Sequence, residues 1–93
     1  MPFAKKIVLH TPSGYVPSLE GLVEQFIRDG VRLVAVVGKD SARIEDAVDA
    51  VVEDSGHFVL TSSHPDETLD EVVEFARCLT GEYAGDVEIV ELG

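Results

Sequence analysis

Three stretches of the chain are apolar without alternation: Lys5–His10 (KKIVLH), Arg32–Gly38 (RLVAVVG) and His57–Thr61 (HFVLT). Short runs of this kind, rich in β-branched residues, predict strands covered on both faces, as in a parallel sheet. A fourth run, Val87–Leu92 (VEIVEL), carries Glu88 and Glu91. It predicts an edge strand, where charge blocks further strand pairing. Between the strands the apolar period lengthens to that of a helix. Leu19, Leu22, Val23, Phe26 and Ile27 form one stripe after Pro17-Ser18, and Gly30 is placed to cap it in a left-handed conformation. Ile44, Ala47, Val48, Val51 and Val52 form a second stripe, opened by Asp40-Ser41 and closed by Gly56. Leu69, Val72, Val73, Ala76 and Leu79 form the third. Before it, Thr68 and Glu71 have the spacing of a capping box, in which each side chain satisfies a free backbone N–H near the other.

The resulting order, βαβαβαβ, predicts an α/β fold with an open, parallel, four-stranded sheet and right-handed crossovers. The expected strand order is the flavodoxin-like 2-1-3-4, with the Rossmann-like 3-2-1-4 as the alternative. In the first arrangement the first helix covers one face and the second and third share the other. One face of strands 3 and 4 is then left without a helix, which suggests a homodimer.

Ligands of open α/β sheets bind beyond the carboxyl ends of the strands, where the strand order reverses. With the order 2-1-3-4 that crevice lies between strands 1 and 3. The loops meeting there are residues 10–18 and 61–66, with Gly38-Lys39-Asp40 nearby, so the candidate crevice residues are His10, Ser13, Tyr15, Lys39, Ser63 and His64. The TSSHPD stretch also has a plain structural reading. A strand ends, Pro65 takes the first helical position, and the acids that follow complement the positive helix end. On that reading Ser62, Ser63 and His64 punctuate a helix start. A nucleophilic serine needs a third group to orient the imidazole, and sequence neighbours seldom point at each other in that way. No catalytic residue is assigned. His10 and His64 as zinc ligands need a third donor that no spacing supplies, so no metal and no cofactor are expected. Phosphate motifs are absent as well. Lys39 and Ser41 follow Gly38, but a P-loop needs a glycine where Leu33 stands, and the loop after the first strand has only Gly14.

Composition narrows the class. Ninety-three residues, 45% apolar and 27% charged, predict one globular domain over residues 1–93. No stretch has the length and hydrophobicity of a signal or membrane segment, which predicts a cytoplasmic protein. The lone Cys78 reads as a free thiol on the third helix.

Charge carries the strongest functional hint. The formal net charge is −11, and residues 40–93 hold fifteen acidic and two basic side chains, against three and five in residues 1–39. Glu45, Asp49 and Glu53 follow at helical spacing on the second helix, and Asp70 and Glu74 do so on the third. If those helices share a face, their rows merge into one negative surface, the candidate acidic interaction face. Such a surface disfavours nucleic acid and anionic membrane and steers a basic protein partner. The expectation is therefore an acidic protein-interaction or binding module. The alternative is a small-anion or small-molecule site, catalytic or not, at the carboxyl ends of strands 1 and 3.

The stretch FVLTSSHPDETLDEVVEFAR, with DAVDAV in the second helix, resembles an uncharacterised family of small bacterial α/β proteins over about residues 31–92. In that pattern a buried strand ends in Thr and His and runs through acids into a helix of the form EVxxFAK. A larger residue, often Trp, precedes the histidine there, where this chain has Ser63. The resemblance implies the α/β fold and brings no activity, cofactor or catalytic residue.

Overall fold

A computed structural model describes residues 2–92. The elements follow the expected order: β1 (Lys6–Thr11), α1 (Leu19–Arg28), β2 (Leu33–Gly38), α2 (Ser41–Ser55), β3 (Leu60–His64), α3 (Leu69–Cys78) and β4 (Val87–Glu91), with a 3-10 turn at Gly81–Tyr83 before β4. The four strands form one parallel sheet in the order β3-β2-β1-β4. This corrects the expected 2-1-3-4 and matches its alternative. The chain winds from β1 through β2 to β3 in one direction, so the two right-handed crossovers put α1 and α2 side by side on one face. It then reverses, and α3 recrosses the other face to deliver β4 beside β1. The physical reason lies in the strands themselves. Ile7, Val8 and Leu9 of β1 and Leu33 to Val36 of β2 are fully buried on both faces, which only central strands can be. Polar β3 and charged β4 take the edges.

Strand alternation divides the core into two layers. Ile7, Leu9, Val34 and Val36 pack with Leu19, Val23 and Phe26 of α1 and Ile44, Val48 and Val52 of α2. Val8, Leu33, Ala35 and Val37 pack with Val72 and Ala76 of α3. The expectation that α2 and α3 share a face is therefore wrong, because the reversal of direction after β3 sends α3 to the opposite side. The acidic rows of the two helices do not merge.

Local signals hold where they are local. Gly30 takes φ +80° after α1, and the Val31 N–H donates back to Phe26 O at 3.0 Å, a left-handed helix stop. At α3 the Thr68 hydroxyl accepts from Glu71 N while Glu71 Oε1 accepts from Thr68 N, which completes the capping box. Gly38 closes β2 at φ +122°, and a Cβ there would lie 2.8 Å from Thr11 O. That close approach binds the carboxyl ends of β1 and β2, with Thr11 Oγ1 donating to Lys39 O at 2.8 Å.

Candidate functional site at the carboxyl ends of the strands

The strand expected at His57–Thr61 is found at Leu60–His64. Phe58 is 67% exposed, and ladder pairing begins where the Leu60 N–H donates to Arg32 O at 2.9 Å. Backbone pairing is indifferent to side-chain polarity, so the ladder runs on through the hydroxyls and includes Ser62, Ser63 and His64. Pro65 therefore does not open the helix. It lies in a turn, and α3 starts at Leu69 behind its Thr68 cap.

Alternation along β3 then sorts the polar side chains. Thr61 turns to the α2 side, where its hydroxyl bonds Glu45 and Asp49. By alternation Ser63 faces the same side. Ser62 and His64 share the α3 side, and there they form a chain of hydrogen bonds. Ser62 Oγ lies 2.8 Å from His64 Nε2, and His64 Nδ1 lies 2.7 Å from Glu67 Oε1. His64 is 8% exposed, and the Phe75 ring packs on its imidazole at 4.9 Å between centroids. The expectation that no third residue holds His64 is thus corrected. Residues two apart on a strand face the same way, and the turn at Pro65 brings Glu67 back to the ring. Ser62, and not the crevice candidate Ser63, is the serine bonded to His64. The i, i+2 spacing of Ser62 and His64, with an acid three residues on, was the available signal.

Of the remaining crevice candidates, His10 stands apart from His64. With β2 between β1 and β3, His10 and His64 stand in one row on the α3 side, each in register with Val37. Two strand spacings separate them, about 9–10 Å. His10 Nδ1 instead sits 4.0 Å from Glu91 Oε1 across the β1/β4 pair, where the strand order actually reverses. Tyr15 lies under the Arg43 guanidinium, 4.8 Å from ring centroid to Cζ. Ser13 and Lys39 are exposed. The Ser41 hydroxyl is buried in the first turn of α2 and lacks a hydrogen-bond partner among the described residues.

Of the five acids expected on one interaction face, Glu53, Asp70 and Glu74 are exposed and Glu45 and Asp49 are half-buried. Glu74 pairs with Arg77 at 3.2 Å. A different concentration of acid arises where α1 meets α2. Adjoining grooves of about 390 and 210 Å³ run between these helices. The larger is lined by Glu20, Glu24 and Asp54 around Ala47, Ala50 and Val51. The smaller reaches Ile27 and Arg28. Glu20 and Glu24 were missed because they belong to the part of the chain with a basic excess, and only the packing of α1 on α2 joins them to Asp54. Among the described residues no group of three His, Cys, Asp or Glu side chains is arranged to hold a metal ion. No described helix is long and apolar enough to cross a membrane.

The fold and its polar row define a small open parallel α/β protein with α1 and α2 on one side of the sheet and α3 on the other. The chain belongs to the family described as Domain of unknown function (DUF7684), whose model matches residues 1–92. No curated protein and no solved structure matches it.

Proposed function

We propose that the chain is an acidic binding module that docks a basic, amphipathic protein segment along the groove between α1 and α2. The observation that carries this reading is the groove itself, where the carboxylates of Glu20, Glu24 and Asp54 surround a floor of Ala47, Ala50 and Val51. Small floor residues let a partner approach the helix backbones. The acids supply steering and register for cationic side chains at the rim, and the net charge of −11 adds a long-range term that salt screens. A homodimer is a less well supported assembly, since the exposed Phe58 and Ile89 come from separate edges of the sheet.

The test is titration with a synthetic lysine-leucine amphipathic peptide, followed by amide chemical shifts. Shifts should concentrate at Glu24, Ala50, Val51 and Asp54, weaken with added chloride, and largely disappear in a Glu24→Lys, Asp54→Lys variant. Shifts centred on α3, or equal binding by that variant, would overturn the assignment of the groove.

A further inference from the structure

The Ser62–His64–Glu67 chain has the bond order of an activated nucleophile. We propose that Ser62 accepts acyl groups from small activated esters, with His64 as its base and Glu67 as a positioning residue. This lies outside the binding groove and is independent of it. The Glu67 carboxylate, 2.7 Å from Nδ1, can only accept, so Nδ1 carries the proton and the Nε2 lone pair is left for Ser62 at 2.8 Å. The serine hydroxyl therefore donates to the nitrogen that must take its proton.

The surroundings leave the hydroxyl reachable. Ser62 is partly exposed on an edge strand and stands in register with the small side chain of Ala35. His64, in contrast, is held in place by Phe75 and by its two hydrogen bonds. Because the Leu60 N–H donates inward to β2, alternation turns the Ser62 and His64 backbone inward too. The Ser63 N–H then faces the open edge of the sheet, one residue after the nucleophile, where it can donate to a developing oxyanion.

In the reaction the Ser62 Oγ–H proton passes to His64 Nε2 as the Oγ–C bond forms at the ester carbonyl. The carbonyl π pair moves to its oxygen. Collapse of that adduct breaks the ester C–O bond, and the leaving alkoxide or phenolate takes the proton from Nε2. The acyl group stays on Ser62 until water, giving its proton to the same nitrogen, attacks and releases the carboxylic acid while Oγ recovers a proton.

The experiment is labelling of the full chain with a fluorophosphonate probe, located by peptide mass spectrometry, beside p-nitrophenyl acetate turnover. One label should appear at Ser62, at least about tenfold faster than at Ser63 and than in urea-denatured chain, since a positioned base contributes at least that factor. Ser62→Ala should abolish it. Glu67→Gln should slow it by about tenfold while the melting temperature changes little, because Glu67 is 43% exposed. Labelling spread evenly over the serines, labelling unchanged in Ser62→Ala, or native-rate labelling of Glu67→Gln would overturn the proposal and leave the three residues as a clasp between β3 and the turn that follows it.

Discussion

On the α1/α2 side of the sheet the inward positions are Ile7, Leu9, Val34 and Val36, met by Phe26, Ile44 and Val48. On the α3 side β1 presents Lys6, Val8 and His10, β2 presents Leu33, Ala35 and Val37, and β3 presents Leu60, Ser62 and His64. Two helices can seal one face of a narrow sheet with apolar side chains. A single ten-residue helix leaves the outer strands partly open, and polar groups there must find specific partners. The first face therefore supplies most of the hydrophobic stability, while the second holds the buried Lys6 and His64 with their hydrogen bonds. Chemistry is available where the helix cover runs out.

The sharpest way to break that contrast is to delete one aromatic ring from each side. Phe26 is fully buried and meets Phe3 edge-to-face at 4.8 Å between centroids. Phe26→Ala should cost about 3–5 kcal/mol by removing transfer free energy and leaving a cavity. In a small domain that loss should abolish a cooperative thermal transition followed by circular dichroism. Phe75 is 36% exposed, and Phe75→Ala should cost less than about 1.5 kcal/mol. Equal losses would mean that the α3 face contributes as much to the core as the other.

A smaller effect, confined to the α3 face, concerns Lys6. Its side chain is 1% exposed, and Nζ donates to Ala76 O at 2.6 Å and Leu79 O at 3.3 Å. The ammonium thus closes the last turn of α3, where unpaired carbonyls and the helix dipole favour a cation. Lys6→Met keeps the apolar stem and removes the donor. It should cost about 1.5–3 kcal/mol in urea unfolding, the usual worth of a hydrogen bond to a charged group. A neutral result would show that the apolar stem alone holds the end of α3.

How much of this was legible in the chain depends on the range of the signal. Period, capping residues and glycine stops are local, and they located six of the seven principal elements and the Thr68–Glu71 box but set β3 three residues early. Strand order is set by where a crossover lands, and an apolar stripe on α3 is compatible with landing beside either strand. The discriminating evidence was present but weak. β1 and β2 are the two strands without a hydroxyl or carboxylate among their central residues, which assigns them to the middle of the sheet. Ser62, His64 and Glu67 were legible as candidates, but a proline at a helix start was an equally good reading of the same letters. It was the extension of β3 to His64, a property of backbone pairing with β2, that put serine and imidazole on one face.

The finest test of the one-helix face is its N-terminal cap. Thr68 and Glu71 hold each other's backbone N–H groups, and the bonds from the Thr68 backbone and hydroxyl keep the Glu71 carboxyl below its ordinary value of 4.5. A carboxyl whose folded value is depressed adds stability that is present above its unfolded value and fades as the pH falls through the folded one. Acidification below the usual carboxylate range should therefore loosen the first turn of α3, read as faster amide exchange at Val72 and Val73, while the buried interior of α1 stays protected. Thr68→Ala should cost about 0.5–2 kcal/mol at neutral pH through the lost cap. It should only reduce Glu71's share of the acid sensitivity, because the backbone N–H at position 68, the larger cause of the depression, is kept by alanine; Glu71→Gln should remove that share. If Glu71→Gln and the native chain lose protection in parallel as the pH falls, the acid response belongs to another carboxylate on this side. Glu67, through its bond to His64, would be the next to exchange for glutamine.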